Sequence, residues 1–221
     1  MIHVITNYYV DSSPARQREI DTCMIKNLTN PGISMISILL EEKDVETLQA
    51  TLFSVSNSLF DKVTLVIGEG RPTYNNFFSL ASKKGDSQTV HILINSDIYI
   101  DMDSTTYFEE IQDGSVWALS RWEIPHNGKP VLYNHRDSQD VWAWRGKMEE
   151  IPGAKFNIGV PGCDNRIAKL FLDAGLTVLN PSKTVRCIHL HQSQKRNYNR
   201  SMTVQPPYHF IQPHELNTVG A

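Results

Sequence analysis

The chain has 221 residues, 40% of them hydrophobic and 20% charged, with a formal net charge of -3. This suits one soluble globular domain with a substantial core. The near-neutral balance excludes a surface given over to nucleic acid, while leaving room for a local basic site. Cys23, Cys163 and Cys187 form no CxxC pair and leave one thiol over, so neither a disulfide framework nor a structural zinc site is indicated, and a cytoplasmic setting is the simpler expectation.

The opening MIHVITNYYVD lacks the basic and apolar regions of a signal peptide. No apolar run approaches the roughly 20 residues that span a bilayer, so no transmembrane segment is expected. Residues 2–6 read as a first strand. Ser12-Ser13-Pro14 then offers an N-cap and a first-turn proline for a helix with Ile20, Met24 and Leu28 on one stripe, ending at Asn30-Pro31-Gly32. Residues 33–40 form a second strand. Val45, Leu48, Leu52, Val55 and Leu59 step by three and four, which predicts an amphipathic helix across them. KVTLVIG (62–68) is a third strand, Pro72 opens a helix bearing Phe77, Phe78 and Ala81, and residues 90–95 are a fourth strand. This alternation predicts an α/β sandwich around a mainly parallel sheet.

Beyond residue 101 the pattern loosens. A short helix near 105–112 precedes the strand VWALSRW (116–122), the turn-rich PHNGKP and the segment VLYNHRDSQDVWAWRG. Another helix follows Gly162, with Ile167, Leu170, Phe171 and Ala174 inward and Gly175 as its stop. LTVLN and TVRCIHLH read as strands, and a polar, proline-bearing tail runs from Gln192.

Ligands in open α/β sheets sit at the carboxyl ends of strands. Three such ends, at 6–9, 68–71 and 95–97, carry Asn, Asp, Tyr, Thr and Arg. Asp97, in HILINSDIYID, is open to two readings there, a cap for the next element or a ligand. His189 and His191 alternate on one strand and share a face; with a carboxylate they can hold a divalent cation, and Lys195, Arg196 and Arg200 behind them form the densest positive cluster in the chain. Cations beside a metal are what a diphosphate needs. Asp164 opens a helix and reads either as a cap or as a catalytic acid. Asp140 stands beside Trp142 and Trp144, which read either as sugar-stacking rings or as core.

In this order the motifs resemble a GT-A type glycosyltransferase over nearly the whole chain, most nearly the small glycosyltransferase domains of chlorella viruses and their bacterial relatives. IHVITNYY is similar to that family's nucleotide-binding strand, which would put Thr6 and Tyr8 at the base. NSD (95–97) looks like a degenerate DxD signature in which Asp97 matches the metal-binding acid and Asn95 replaces the first acid, with Ser96 between them. GCDNRIAKLFLDAG is similar to the acceptor-facing acid-plus-helix element, of which only Asp164 carries over. TVRCIHLHQSQK is similar to the late strand whose histidine completes the metal site, and the six-residue step from His189 to Lys195 is that of glycogenin-like retaining enzymes.

The resemblance implies a metal-dependent transfer of a hexose or deoxyhexose from a UDP-sugar donor to a glycan acceptor, with retention favoured over inversion. Mn2+ or Mg2+ would be held by Asp97 and His189, with His191 in reserve. Asp164 and Asp140 would be the catalytic acids. Arg71, Tyr74, Asn75, Asn95, Ser96, Lys195 and Arg196 would hold the donor. No nucleic-acid partner is implied, and the setting would be the host cytoplasm for a viral protein. The chain divides on this reading into a nucleotide-binding half (1–101), an acceptor-side half (102–191) and a basic segment with an irregular tail (192–221); its linker-like ending, ELNTVGA, is compatible with one domain of a longer protein. Two rival classes remain. A nucleotidyltransferase would normally carry an early glycine-rich, lysine-bearing loop, which TNYYVDSSPARQ is not; a glycan-binding module would need neither nucleotide nor metal.

Overall fold

A computed structural model describes residues 1–55, 57–125, 127–193 and 199–216. Its main sheet takes seven strands: β1 (Ile2–Asn7), β2 (Met35–Leu40), β3 (Val63–Ile67), β4 (Val90–Ile94), β6 (Ser115–Leu119), β9 (Val141–Arg145) and β10 (Thr177–Leu179), in the order β10-β6-β9-β4-β1-β2-β3. Every neighbouring pair is parallel except the two that β9 makes, with β4 and with β6. The expected mainly parallel α/β sandwich is therefore what the chain forms.

Alternation along the strands splits the apolar side chains between the two faces. Ile2, Val4, Ile92 and Ala143 pack toward α1 (Pro14–Thr29) and α2 (Val45–Phe53), with Ile20, Met24, Leu28, Leu48 and Leu52. Ile5, Leu93, Trp142 and Trp144 pack toward α3 (Tyr74–Ser82) and α4 (Cys163–Asp173), with Phe77, Phe78, Ile167 and Phe171. Burying each such side chain is worth about 1.5–3 kcal/mol, which is ample reason for the two-sided pattern to fix the layers. The tryptophans beside Asp140 are thus core residues. Trp142 meets the Tyr74 ring edge-on at 5.2 Å, and Trp144 meets Phe78 edge-on at 5.5 Å.

Helix starts follow local chemistry. Ser13 caps α1 by accepting from the Arg16 N–H, and Thr73 caps α3 in a reciprocal capping box with Asn76. Expectations fail at several helix and strand ends: the late strand stops at His189, short of His191, and α3 starts at Tyr74 rather than Pro72. The helix expected through Leu59 stops at Phe53 and gives way to a 3-10 turn over Asn57–Lys62; Ser54 donates back to the Thr51 carbonyl at 2.6 Å, the local bond by which such residues compete with helix continuation. The strand expected over 116–122 breaks after Leu119. The Ser120 N–H is taken by Ser182 Oγ at 2.8 Å and Asn180 Oδ1 at 3.2 Å, so it leaves the sheet without a lost bond.

After that break the chain joins a second sheet of β5 (Ile98–Ile100), β7 (Trp122–Glu123), β8 (Val131–Leu132) and β11 (Cys187–His189), in the order β5-β11-β7-β8. Among its described residues the tail has little regular structure beyond a 3-10 turn at Arg200–Met202, yet it packs. Val204 N–H donates to Pro161 O, and His214 N–H to Asn180 O, each at 2.9 Å. Gly162, at φ +79, lies against this tail, and a Cβ there would meet Val204 O and the Tyr208 hydroxyl at 2.8 Å; Gly159, at φ +68, faces open space. Gly162→Ala should therefore cost about 2 kcal/mol or more in urea unfolding, against about 1 kcal/mol for Gly159→Ala, where only the backbone conformation is penalised.

Candidate active site

The chain order reverses between β1 and β4, which lie side by side with β2 and β3 on one flank and β9 on the other. Such a switch point opens a crevice beyond the strands' carboxyl ends. A cleft of about 920 Å³ lies there. Asn7 and Tyr9 enter it after β1, and Asn95, Ser96 and Asp97 after β4. Arg16, Arg71, Arg121, Asp140, Asp164, His189 and His191 also belong to its polar lining.

Backbone pairing brings Asp97 and the histidines together. β5 and β11 run antiparallel with Ile98 opposite His189, and one step on the Leu190 N–H donates to the Asp97 carbonyl at 2.9 Å. Asp97 sits in the turn before β5 and aims one oxygen, Oδ2, at three partners: Arg16 Nη2 at 2.6 Å, His189 Nε2 at 3.0 Å and His191 Nδ1 at 3.5 Å. Burial opposes charge on Asp97, but His189, His191 and Arg16 outweigh it and hold the carboxyl well below the usual range. Burial likewise works against a charged His189, and the Asp97 carboxylate more than reverses it, raising the imidazole pKa.

The ligand atoms of Asp97, His189 and His191 all lie within 4.8 Å of one another. A divalent ion about 2.0–2.2 Å from oxygen or imidazole nitrogen places neighbouring ligand atoms about 3.0–3.5 Å apart. Both separations from Oδ2 fall in that range, so the three residues fit a divalent metal.

A second group of acids lies at the start of β9. Because β9 runs against its neighbours, its first residues stand beside the ends of β4 and β6. Asp140 N–H donates to Leu119 O at 3.0 Å, and Asn95 N–H to Asp140 O at 3.3 Å. Both carboxylate oxygens are engaged: Asn95 Nδ2 donates to Oδ1 at 2.9 Å and Arg121 Nη1 to Oδ2 at 3.0 Å. Arg121 is held in turn by Glu123 and Ser138 and lies over the Tyr133 ring. Asp164, in the first turn of α4, keeps part of its surface on the cleft; burial first, then the Asp140 charge, pushes its carboxyl up to about 8.

No protein-family model matches the chain, and no curated protein matches its sequence. Solved structures do share its fold. 4-Diphosphocytidyl-2C-methyl-D-erythritol synthase from Anaerococcus prevotii is similar at 10% identity and a TM-score of 0.52, over 90% of this chain and 91% of that one. HddC from Yersinia pseudotuberculosis, complexed with GMP-PN, is similar at 15% identity and a TM-score of 0.51, over 86% and 93%. The mannosyltransferase PcManGT from Pyrobaculum calidifontis, in complex with GDP-Man and Mn2+, is similar at 12% identity and a TM-score of 0.54; the match takes 85% of this chain but 56% of that one. The fold is thus shared with both nucleotidyltransferase-like proteins and a GT-A-like mannosyltransferase, and the narrower likeness to chlorella-virus domains finds no support.

Of the residues singled out in the sequence, Arg71, Asn95, Ser96, Asp97, Asp140, Asp164, His189 and His191 all line the cleft. Four do not reach it. Thr6 is buried and donates to the Asn7 carbonyl, while Tyr8 lies in the core beside α1 and donates its hydroxyl to Asp21 at 2.7 Å. Tyr8 keeps the parity of Ile2 and Val4 and shares their core cluster, and it is its neighbour Tyr9 that faces the cleft. Tyr74 is enclosed by Trp142, Phe78 and Phe156, and Asn75 is bound to both backbone groups of Ile151. For Tyr74 and Asn75 the cause is shared: the start of α3 serves to pin the 151–156 loop. Lys195, Arg196 and the side chain of Arg200 lie outside the described residues.

Arg16 and Arg121 were not foreseen. Arg16 did carry a signal, since a cation in the first turn of α1 runs against the helix dipole and asks for a compensating anion. No helix among the described residues is long and apolar enough to cross a membrane. Because the Asp140 charge helps to hold a proton on Asp164, Asp140→Asn should lower the Asp164 midpoint from about 8 without restoring an ordinary value, burial being the larger cause. Carboxyl-carbon NMR titration of the two proteins measures that difference.

Proposed function

We propose that the cleft binds a nucleoside diphosphate sugar, with UDP as the expected nucleotide, and transfers the sugar to a glycan hydroxyl. The observation that carries this reading is the meeting of Asp97, His189 and His191 at the switch-point crevice, facing a second pair of acids, Asp140 and Asp164, across one cleft. Support for the class comes from the shared fold, since PcManGT was solved with GDP-Man and Mn2+.

In this reading Asp97, His189 and His191 hold a Mn2+ or Mg2+ ion, which supplies Lewis-acid stabilisation of the charge that develops on the departing diphosphate. Asn7, Tyr9 and Arg71 line the donor side, and Ser96 and Asn95 stand between the two groups of acids. Lys195 and Arg196, four and five residues past His191, would add positive charge to the diphosphate end.

Asp164 is the base for the acceptor hydroxyl. With its carboxyl pushed up to about 8, Asp164 is a strong base once ionised, so transfer through it should rise as pH climbs through that value. Asp140 is unsuited to nucleophilic attack because Asn95 and Arg121 occupy both its oxygens. It acts by tuning Asp164 and by fixing Arg121. This assignment favours inversion over the retention that the His189–Lys195 spacing implies, and NMR of the anomeric proton in the first-formed product distinguishes the two.

A nucleotidyltransferase is the second reading, since the synthase from Anaerococcus prevotii shares the fold. The chain's own residues favour sugar transfer: between β1 and α1 it has Tyr8-Tyr9-Val10-Asp11-Ser12-Ser13, with neither glycine nor lysine to wrap a triphosphate.

Calorimetry with UDP in the presence and absence of Mn2+, followed by a screen of UDP-sugars for slow hydrolysis, tests the proposal. Glycan binding without any nucleotide or metal response would overturn it. Asp97→Asn should keep a hydrogen-bond acceptor for Arg16 yet weaken Mn2+ binding at least about 100-fold, beyond the effect typical of outer-sphere partners. Mn2+ and protons compete for the His189 imidazole. Its raised pKa therefore predicts that Mn2+ affinity climbs as pH rises through that titration and levels off above it.

A further inference from the structure

Arg16 makes a contact that a metal site would not be expected to tolerate. Its Nη2 lies 2.6 Å from Asp97 Oδ2, the same oxygen that faces both histidines. An ion bound to that oxygen at about 2.1 Å would stand within about 3–4 Å of the guanidinium, two cations side by side in a water-poor pocket. Either the metal or the guanidinium must leave.

The rest of the side chain is only partly anchored. Nη1 donates to Glu19 Oε2 at 3.0 Å and to the Leu190 carbonyl at 3.2 Å. Nε, although buried, has no hydrogen-bond partner among the described residues. The side chain is 6% exposed and lines the cleft, so open space adjoins it on that side. Once displaced it would remain at the positive end of α1, a helix of 16 residues, where a lone cation is disfavoured and an anion is needed beside it. A diphosphate in the cleft is an anion of the right shape for the guanidinium fork.

We propose that Arg16 is an internal cation for the Asp97–His189–His191 triad that gives way to the divalent ion and moves onto the donor's diphosphate, so that metal and diphosphate bind cooperatively. The proposal rests on the donor reading above and adds to it a residue that couples the two ligands. Arg16 is a binding residue in this scheme, and Glu19 steadies it: Glu19 also accepts from the Ser193 N–H and hydroxyl, each at 2.7 Å, tying the exchange to the chain just past His191.

Mn2+ binding followed by electron paramagnetic resonance, with and without UDP, tests this on wild type, Arg16→Met and Arg16→Gln. Without UDP, both variants should bind Mn2+ about tenfold more tightly than wild type, because no cation has to be displaced; the factor by which UDP strengthens Mn2+ binding should fall by about tenfold, within the usual range of such couplings. The glutamine variant keeps a donor to Asp97 and serves if the methionine variant does not fold.

Unchanged or weaker Mn2+ binding without UDP would overturn the counter-ion role. An undiminished UDP effect would overturn the transfer to diphosphate. Inorganic pyrophosphate, run in parallel, separates this proposal from the donor reading. If pyrophosphate couples to Mn2+ through Arg16 and UDP does not, the nucleotide assignment fails and the Arg16 exchange stands. If neither couples while the variants still bind Mn2+ more tightly, the exchange ends at the metal and the transfer step is refuted.

Discussion

The pairing of β5 with β11 is the constraint on which the site depends. It joins residues about ninety positions apart, placing Ile98 opposite His189 and fixing Leu190 N–H on the Asp97 carbonyl. Without that register, Asp97 would be a buried ionised group left with Arg16 alone, and neither histidine would be held against it. With it, two imidazoles and a guanidinium converge on a single carboxylate oxygen. Removing one partner from such a group leaves an uncompensated buried charge, which is far more costly than losing a surface ion pair.

The reversed strand β9 does similar work for the second group of acids. Were it parallel to its neighbours, Asp140 would lie at the far edge of the sheet. Running antiparallel between β4 and β6, it delivers Asp140 to the same edge as Asp97, where Asn95 bridges the two regions through its backbone and its side chain. Asn95 is thereby more than the missing first acid of a DxD-like triplet. An aspartate there would set a second negative charge against Asp140, whereas the amide donates to it.

Two charge arrangements of opposite kind face each other across the cleft. On one side Asp97 is held strongly anionic by two histidines and Arg16; on the other Asp164 is driven toward its neutral form by burial and by Asp140. Carboxylates with their pKa values pushed apart by environment are characteristic of sites that divide charge stabilisation from proton transfer.

The periodicity of the first hundred residues by itself determined the α/β layers, because alternating and three-four spaced apolar residues have only one way to bury both faces of a parallel sheet. The clustering of NSD at a strand end and HLH on a late strand likewise determined that Asp97, His189 and His191 were the residues to watch. Tertiary structure alone decided the rest. Tyr9 rather than Tyr8 faces the cleft because Tyr8 keeps the parity of Ile2 and Val4 and turns into their core cluster, and Trp142 and Trp144 are core because α3 and α4 cover them. The break at Ser120, made possible by Asn180 and Ser182, sends β7 into a second sheet. Arg16 could be noticed in the sequence as a cation at the wrong end of a helix, but its partner was invisible there. An ion pair between residues 81 positions apart is set by how α1 packs against β5, and no local pattern encodes that distance.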